Sequence, residues 1–269
     1  MTKTCSELFQ GMDCTIIGNG NEEVAGLAFR SDEVAPGDMF FCIVGTVVDG
    51  HSFAQDAIDR GATSLVAERK VYLADATDVT EVVVSDSRKA MAYASANYYD
   101  NPSRAFSLVG ITGTNGKTTT TYLVEHIASV AGNRCGVIGT VGNKIAGAME
   151  HAERTTPESP DLQKLFARMR DAGCTVVAME VSSHALDLRR TWDTDFAVTA
   201  FTNLTQDHLD YHHTFDDYFE AKALLFSGAY PARRVISIDG SWGRELLRRC
   251  TAAGDEVITT GFDVSAQIH

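Results

Sequence analysis

The stretch that decides the fold is Gly110-Ile-Thr-Gly-Thr-Asn-Gly-Lys-Thr-Thr119. An apolar, β-branched run at 106–111 leads into it, and a helix-forming run at 120–128 follows it. A glycine-rich turn between a strand and a helix directs backbone N–H groups and the positive end of the helix dipole at an anion. The stretch therefore predicts a phosphate-binding loop at the first crossover of a parallel α/β sheet.

Each residue type in this loop suits a nucleoside triphosphate. The Lys117 ammonium can neutralise β- and γ-phosphate oxygens, and Thr118 can offer its hydroxyl to Mg²⁺. The strict pattern has a glycine five residues before Gly116, where this chain has Ile111, so the loop is a variant. A glycine-rich turn without a ligand is the alternative, which the strand–turn–helix context disfavours. The predicted nucleotide-binding residues are Gly113, Thr114, Asn115, Gly116, Lys117, Thr118 and Thr119.

Around the loop, short β-branched runs alternate with amphipathic ones, which is typical of βα units. Downstream we predict strands at 106–111, 135–138, 174–180, 196–201, 234–238 and 257–260, with helices at 117–130, 159–172, 214–227 and 241–253. This order predicts a doubly wound, mostly parallel sheet. Upstream, apolar runs at 38–44, 62–67 and 81–84 predict a smaller α/β domain. We place the boundary near Asp86, giving domains 1–86 and 87–269, and expect the second to be incomplete because the chain stops just after a strand.

Two further strand ends carry side chains that can do chemistry. Glu180 follows the strand at 174–180, and His208 lies in the segment after the strand at 196–201. Ligands of doubly wound sheets bind beyond the C-terminal ends of the strands, so both side chains should lie near the loop. Glu180 could hold the Mg²⁺ of a bound ATP, and His208 could ligate a second metal. Alternatively, Glu180 is solvated or caps a helix, and His208 bonds to backbone.

The predicted helix at 214–227 carries a lysine near its middle. The pattern directs Tyr218, Phe219, Leu225 and Phe226 towards the core. By this pattern alone, Lys222 is a solvated helix lysine.

Composition limits the classes of function. The 269 residues are 44% hydrophobic and carry a net charge of −13, so bulk electrostatics favour neither nucleic acid nor an anionic membrane. The sequence has no apolar run of membrane-spanning length and no secretion signal, and its six cysteines are scattered. We expect a cytoplasmic protein with reduced thiols, acting as a monomer.

Four motifs, in this order along the chain, resemble the Mur ligase family, the ATP-dependent amide-forming enzymes of peptidoglycan precursor synthesis. They lie at 113–119, 180–186, 203–210 and 221–222. The segment Thr155-Thr-Pro-Glu-Ser159 resembles the tripeptide-forming members, the UDP-N-acetylmuramoyl-tripeptide synthetases. The resemblance implies an N-terminal UDP-MurNAc-binding domain and most of a central ATP-binding domain, without the family's C-terminal domain.

The resemblance also implies a reaction. The D-Glu carboxylate of UDP-MurNAc-L-Ala-D-Glu would attack the γ-phosphate of ATP, and an amino acid, meso-diaminopimelate or L-lysine, would displace phosphate from the acyl phosphate. Lys117 would stabilise the transferring phosphoryl group, while Thr118, Glu180 and His208 bind Mg²⁺. Lys222 matches the family's carbamylated lysine, whose negative charge would help to hold a second Mg²⁺.

Further positions match residues that bind the substrate in the family. Ser31 lies in Arg30-Ser31-Asp32, where the family usually has Asp-Ser-Arg, and keeps the serine of the uridine-binding region. The positions that match the family's residues for binding the muramyl dipeptide are Thr155, Thr156, Ser182 and Arg190. In the family the C-terminal domain holds the incoming amine, so we expect residues 1–269 alone to form no amide bond.

Three alternatives stay open. Folylpolyglutamate and cyanophycin synthetases share the phosphate loop and the lysine, although the N-terminal segment at 36–40 disfavours the former. A P-loop NTPase switch would hydrolyse nucleotide without needing a UDP-sugar. A non-catalytic nucleotide-binding protein would have little reason to keep Lys117, Glu180, His208 and Lys222 together.

Overall fold

The computed structural model describes residues 2–45, 48–71, 79–262 and 265–268. Their contacts divide the chain into two compact units, Met1–Asn101 and Pro102–His269. This division falls later than the boundary expected near Asp86, because the helix Ser87–Tyr98 packs within the first unit. Its Asn97 side-chain amide donates to the carbonyl of Leu8 at 2.9 Å.

The first unit is a small α/β unit, as predicted. Its elements are β1 (Lys3–Thr4), α1 (Cys5–Leu8), β2 (Thr15–Ile17), β3 (Glu23–Val24), β4 (Gly26–Ala28), β5 (Asp38–Phe41), α2 (Ala54–Asp59), β6 (Ser64–Ala67), β7 (Thr80–Val83) and α3 (Ser87–Tyr98). Within the described residues the main sheet has the order β2-β7-β6-β5-β4, in which β4 to β7 run parallel and β2 runs antiparallel. Met39, Phe41, Val66 and Val82 form its buried core.

The second unit has the predicted doubly wound sheet. Its strands are β8 (Ser107–Thr112), β9 (Cys135–Ile138), β10 (Asn143–Ile145), β11 (Ala148–Glu150), β12 (Val176–Glu180), β13 (Val198–Phe201), β14 (Arg233–Ser237) and β15 (Val257–Thr260). Its helices are α4 (Lys117–Val130), α5 (Ser159–Asp171), α6 (Ser183–Asp187), α7 (Leu209–His212), α8 (Phe215–Ala223) and α9 (Ser241–Ala252). Among the described residues the order is β11-β10-β9-β12-β8-β13-β14-β15, parallel from β9 to β15. Over the same residues, no helix is long and apolar enough to cross a membrane.

The antiparallel hairpin β10–β11 at one edge of this sheet was not predicted. An ion pair between Lys144 and Glu125, 2.8 Å apart, ties it to α4. Arg168 of α5 grips the Glu150 carboxylate with both terminal guanidinium nitrogens, one of them at 2.7 Å. The hairpin is therefore held by the two helices beside it, and its position fixes the loop between β9 and β10.

A buried arginine joins α8 to β14. Arg234 is 2% exposed and donates through Nη1 to the carbonyls of Tyr230 at 2.7 Å and Leu225 at 3.3 Å. Its Nη2 donates to the carbonyl of Ser227 at 3.2 Å, and its Nε lies 3.4 Å from the Asp255 carboxylate. The guanidinium thus bonds three carbonyls of the segment between α8 and β14 and fixes that segment to the strand.

Candidate functional site

Three strand ends of the second unit meet at one edge of the sheet, as predicted. In the parallel pairing, Glu180 at the end of β12 lies beside Ile111 of β8, and Phe201 at the end of β13 lies beside Thr112. The segments that follow these strands therefore share the edge at which ligands of such sheets bind.

The predicted phosphate loop is fastened to the segment after β13. The amides of Thr114 and Asn115 donate to the backbone and side-chain oxygens of Asn203, both at 2.9 Å. The Thr205 amide donates back to the Thr114 hydroxyl at 3.0 Å. Gly113 has φ +149°, and a Cβ there would lie 1.9 Å from the Thr202 hydroxyl, so only glycine fits.

The rest of the loop leads directly into a helix. Gly116 is the N-cap of α4, and Lys117, Thr118 and Thr119 form its first turn. A 14-residue helix that begins here directs its positive dipole end at the loop. The predicted order of strand, turn and helix is confirmed, and it gives the loop the geometry of an anion-binding site.

Two lysines converge on one loop carbonyl. Lys117 Nζ donates to the carbonyl of Gly113 at 2.8 Å and to that of Thr114 at 2.8 Å. Lys222 Nζ, from α8, donates to the same Gly113 oxygen at 3.0 Å. Burial lowers the pKa of Lys117, against the opposing effect of the Glu180 and Asp207 carboxylates.

Lys222 is not the solvated lysine that the helical pattern predicts, because it is only 1% exposed. Its ammonium lies 4.4 Å from the centre of the Tyr218 ring, one helical turn earlier. Burial, and then the nearby positive charge of Lys117, lower the pKa of Lys222 to about 7. The Asp207 carboxylate opposes this lowering, and a buried ammonium stays costly unless it loses its proton or gains an anionic ligand.

Glu180 is almost fully buried, at 1% exposure, and is held by the loop between β9 and β10. The Thr140 amide donates to Glu180 Oε1 at 2.9 Å, and the Thr140 hydroxyl lies 3.3 Å from Oε2. Gly139 permits this approach, since a Cβ there would lie 2.2 Å from Oε1. The carboxylate is thus fixed at the sheet edge with lone pairs left over for a cation.

The two predicted substrate threonines lie beside Glu180. The Thr155 and Thr140 hydroxyls are 2.9 Å apart. The Thr156 hydroxyl donates to the backbone carbonyl of Glu180 at 2.8 Å and accepts from the Ser182 amide at 3.1 Å. Ser182 is the N-cap of α6, where its hydroxyl accepts from the Ala185 amide at 3.2 Å.

Arg190 lies in the same region but is engaged within the protein. Its guanidinium pairs with the Glu158 carboxylate at 2.9 Å and donates to the Thr156 carbonyl at 3.1 Å. The fork therefore braces the segment that carries the threonines. Direct binding of substrate by Arg190 stays a prediction.

His208 lies in a group of rings whose other members sequence analysis did not assign to the site. It lies in the left-handed region, with φ +51°, at the start of α7. Its ring centre is 4.9 Å from that of His184 and 6.0 Å from that of Tyr218. His212, one turn further along α7, hydrogen-bonds the Ser183 hydroxyl at 2.9 Å. Burial lowers the pKa of His184 and of His212. The rings of His208 and His212 each lie near that of His184, with centres 4.9 Å and 5.4 Å away.

The predicted uridine-binding serine lies in the first unit. The Ser31 hydroxyl hydrogen-bonds the Asp56 carboxylate and, with Arg60, lowers the pKa of Asp56. Arg30 and Asp32 pair with each other on the surface, 2.9 Å apart. At the C-terminal edge of this sheet is a cavity of about 380 Å³, lined by Asp49, His51, Ser52, Arg69, Lys70 and Val71.

Known protein families match both units. Residues 111–269 match the model of the Mur ligase middle domain, and residues 23–111 match that of the Mur ligase family catalytic domain. The chain belongs to the Mur ligase family.

Individual Mur ligases agree with this assignment. The chain is 43% identical over 262 residues to the UDP-N-acetylmuramoyl-L-alanyl-D-glutamate–2,6-diaminopimelate ligase of Clostridium botulinum, covering 97% of this chain and 53% of that protein. It is 50% identical over 208 residues to the enzyme of that name from Geobacillus thermodenitrificans, covering 77% of this chain and 42% of that one. A solved structure of a ligase with this name matches with a TM-score of 0.82 and 26% identity, over 99% of this chain and 54% of that one. The chain spans about half the length of the curated relatives it matches.

The Mg²⁺ expected for a Mur ligase fits two of its four predicted ligands directly. Mg²⁺ prefers oxygen donors and combines one or two protein ligands with substrate phosphates and waters, which suits the Glu180 carboxylate and the Thr118 hydroxyl. Lys222, as an amine bonded to the Gly113 carbonyl, is no ligand until it gains an anionic group. Within the described ranges, no cluster of three or more His, Cys, Asp or Glu side chains is arranged to bind a metal.

Sequence reasoning missed Thr140, although a signal for it was present. Gly139 and Thr140 follow the predicted strand at 135–138, and β9 lies beside β12 in the parallel sheet. Ligands of parallel sheets bind beyond the C-terminal ends of the strands, so residues just after β9 are candidates in the same way as those after its neighbours.

Proposed function

We propose that this chain is the UDP-sugar- and ATP-binding part of a ligase that adds meso-diaminopimelate to UDP-MurNAc-L-Ala-D-Glu. The observation that carries the proposal is the convergence of Lys117 and Lys222 on the Gly113 carbonyl, beside the buried Glu180. Diaminopimelate, rather than L-lysine, is favoured by the names of the relatives at 43% and 50% identity. ATP use puts the reaction in the cytoplasm, and we expect a monomer.

In the proposed reaction the chain's own residues orient and neutralise the phosphates. A D-Glu carboxylate oxygen forms a bond to the γ-phosphorus of ATP as the bond to ADP breaks. The amine then attacks the acyl carbon, phosphate leaves, and the amine loses a proton to give the amide. Lys117, whose ammonium already lies at the loop, neutralises charge on the transferring group, and the loop amides bind the phosphates. Mg²⁺, when bound, draws the two anionic substrates together.

Lys222 is suited to become a carbamate. With a pKa of about 7, much of the amine is neutral near pH 7 and can form an N–C bond to CO₂, releasing a proton. Before the reaction, the Lys222 ammonium is repelled by the like charge of Lys117. The carbamate that forms is an anion. The change therefore removes a repulsion and creates an oxygen ligand for Mg²⁺.

Binding measurements on residues 1–269 test this proposal. Calorimetric titration should detect ATP in the presence of Mg²⁺, and also UDP-MurNAc-L-Ala-D-Glu in preference to UDP-MurNAc-L-Ala. An exposed-lysine variant, Lys164→Ala on α5, serves as the matched control for Lys117→Ala.

The alternatives give different outcomes in the same experiment. ATP turnover without any UDP-sugar requirement would favour an NTPase switch, and binding of a folate instead of the UDP-sugar would favour a folylpolyglutamate synthase. Failure of the wild-type chain to bind either ATP or the UDP-dipeptide would refute the proposed function.

A further inference from the structure

A hydroxyl bridge links the buried carboxylate of the site to the segment expected to bind substrate. The Thr140 hydroxyl lies 3.3 Å from Glu180 Oε2 and 2.9 Å from the Thr155 hydroxyl. Thr140 also donates its amide to Glu180 Oε1 at 2.9 Å, so it holds both oxygens of one carboxylate.

The hydrogen bonds of this bridge have a preferred direction. An ionised carboxylate only accepts, and a hydroxyl has one proton to donate. When Thr140 donates to Glu180, its oxygen is left to accept from Thr155. Thr155 can then only accept a hydrogen bond from a ligand. If Thr155 instead donates to a ligand, Thr140 must donate to Thr155 and no longer to Glu180.

The backbone of Glu180 is held by the neighbouring threonine of the same segment. Thr156 donates to the Glu180 carbonyl at 2.8 Å, while Thr155 reaches the carboxylate only through Thr140. Thr140 lies between β9 and the hairpin that α4 and α5 brace through Glu125 and Arg168. The bridge is therefore built on fixed elements at both ends.

We propose that Thr140 is a positioning residue that orients the Glu180 carboxylate for a divalent cation and links it to the segment that carries Thr155. The inference rests on the proposed function, since it takes Glu180 as a Mg²⁺ ligand of a nucleotide site. Thr140 itself acts through Glu180. Groups that orient a metal ligand typically change metal affinity about 10- to 100-fold when removed.

The test compares nucleotide affinity with and without Mg²⁺. Residues 1–269 are titrated with ATP in saturating Mg²⁺ and again in EDTA, and the ratio of the two affinities measures the contribution of the metal. Thr140→Val, which lacks the hydroxyl, should lower this ratio about 10-fold or more while the affinity in EDTA stays at the wild-type value. Thr140→Ser, which restores the hydroxyl, should return the ratio to near wild type.

Two further variants separate positioning from folding. Thr251→Val on α9 is the same chemical change at an exposed threonine and should leave the ratio unchanged. Thr155→Val should lower the ratio less than Thr140→Val, because Thr140 still donates to Glu180. Thermal melting of Thr140→Val and Thr251→Val should match wild type, since both threonines are exposed.

Each outcome decides between the two proposals. Wild-type protein that binds no ATP would overturn the proposed function and this inference with it. Wild-type protein with a Mg²⁺-dependent gain that Thr140→Val retains would overturn the positioning role alone. A fall in the EDTA affinity or in melting temperature for Thr140→Val, without rescue by Thr140→Ser, would assign Thr140 a purely structural role.

Discussion

Both units carry charged side chains at an edge of a parallel-rich sheet, but these side chains pair near the surface in the first unit and are buried in the second. At the edge of the first sheet, Asp49 pairs with Arg69 at 2.6 Å and with His51 at 2.6 Å, and the charges satisfy one another near the surface. At the edge of the second sheet, Glu180 and Lys222 are each 1% exposed. The Lys222 ammonium donates to a neutral group, the carbonyl of Gly113.

This difference separates structural charge from charge held for a ligand. A surface pair contributes little to stability and requires nothing further. A buried charge is costly, and a ligand that neutralises it offsets that cost, so a buried charge with a strongly shifted pKa is a candidate functional group.

The largest expected effect is at Lys117. Lys117→Ala should weaken ATP binding by about 100-fold or more, because removal of a charged partner from a buried site costs roughly 2–5 kcal/mol. Binding of UDP-MurNAc-L-Ala-D-Glu to the first unit should stay at the wild-type value. Calorimetric titration with both ligands checks this, and an unchanged ATP affinity would contradict the role of the loop.

The second prediction concerns the pH dependence of stability that Lys222 creates. Its folded pKa of about 7 lies below the ordinary lysine value of 10.5, so the unfolded chain binds more protons between these values. The contribution of Lys222 to the free energy of unfolding should therefore rise as pH increases through this window and be lowest below pH 7. The free energy of unfolding of Lys222→Met should exceed that of wild type by on the order of a few kcal/mol at pH 6, and this difference should shrink towards pH 10.

Chemical denaturation in CO₂-free buffer at several pH values measures this difference. A constant difference between the two proteins from pH 6 to pH 10 would show that Lys222 titrates normally. Added ¹³CO₂ should then give a carbamate carbon resonance in the wild type that Lys222→Met lacks.

The third prediction concerns the close approach at Gly139. Gly139→Ala should displace the Glu180 carboxylate and cost about 1–3 kcal/mol of stability, since buried overpacking has costs of this size. Gly228→Ala is the control, because a Cβ at Gly228 meets open space. Equal melting temperatures for the two variants would show that Glu180 moves aside freely.

The smallest effect is expected in the first unit. Asp49→Asn removes the charge that meets Arg69 and His51 but keeps an oxygen acceptor, so stability should fall by about 1 kcal/mol or less. Urea denaturation measures it. A loss as large as that at Gly139 would remove the contrast between the two edges.

The regular elements of the second unit could be read from sequence because their signals are local. Strand β9, helix α4 and strand β15 have the predicted bounds, since apolar runs and a glycine-rich turn mark their ends. The hairpin β10–β11 has no such signal: each strand is only three residues long and mixes polar with apolar residues, and the ion pairs to α4 and α5 help to hold it.

The site was predictable as a location but not in its contacts. The ends of β8, β12 and β13 predicted where the loop, Glu180 and the segment of His208 would meet. The burial of Lys222 could not be derived from a helical pattern, because it depends on the Gly113 carbonyl lying above α8. Likewise, the pairing of Arg190 with Glu158 depends on two loops that sequence spacing does not bring together.

The buried Arg234 has a consequence for how this region can vary in evolution. Its guanidinium is held mainly by main-chain carbonyls, those of Leu225, Ser227 and Tyr230. Main-chain acceptors do not depend on side-chain identity, so these contacts place no limit on which residues occupy the three positions. The donor itself cannot be exchanged so freely, because lysine lacks the planar fork that reaches several acceptors at once. Sequence change between α8 and β14 is therefore limited by the packing of the buried Leu225, Phe226 and Tyr230 and not by these hydrogen bonds, as long as the arginine stays.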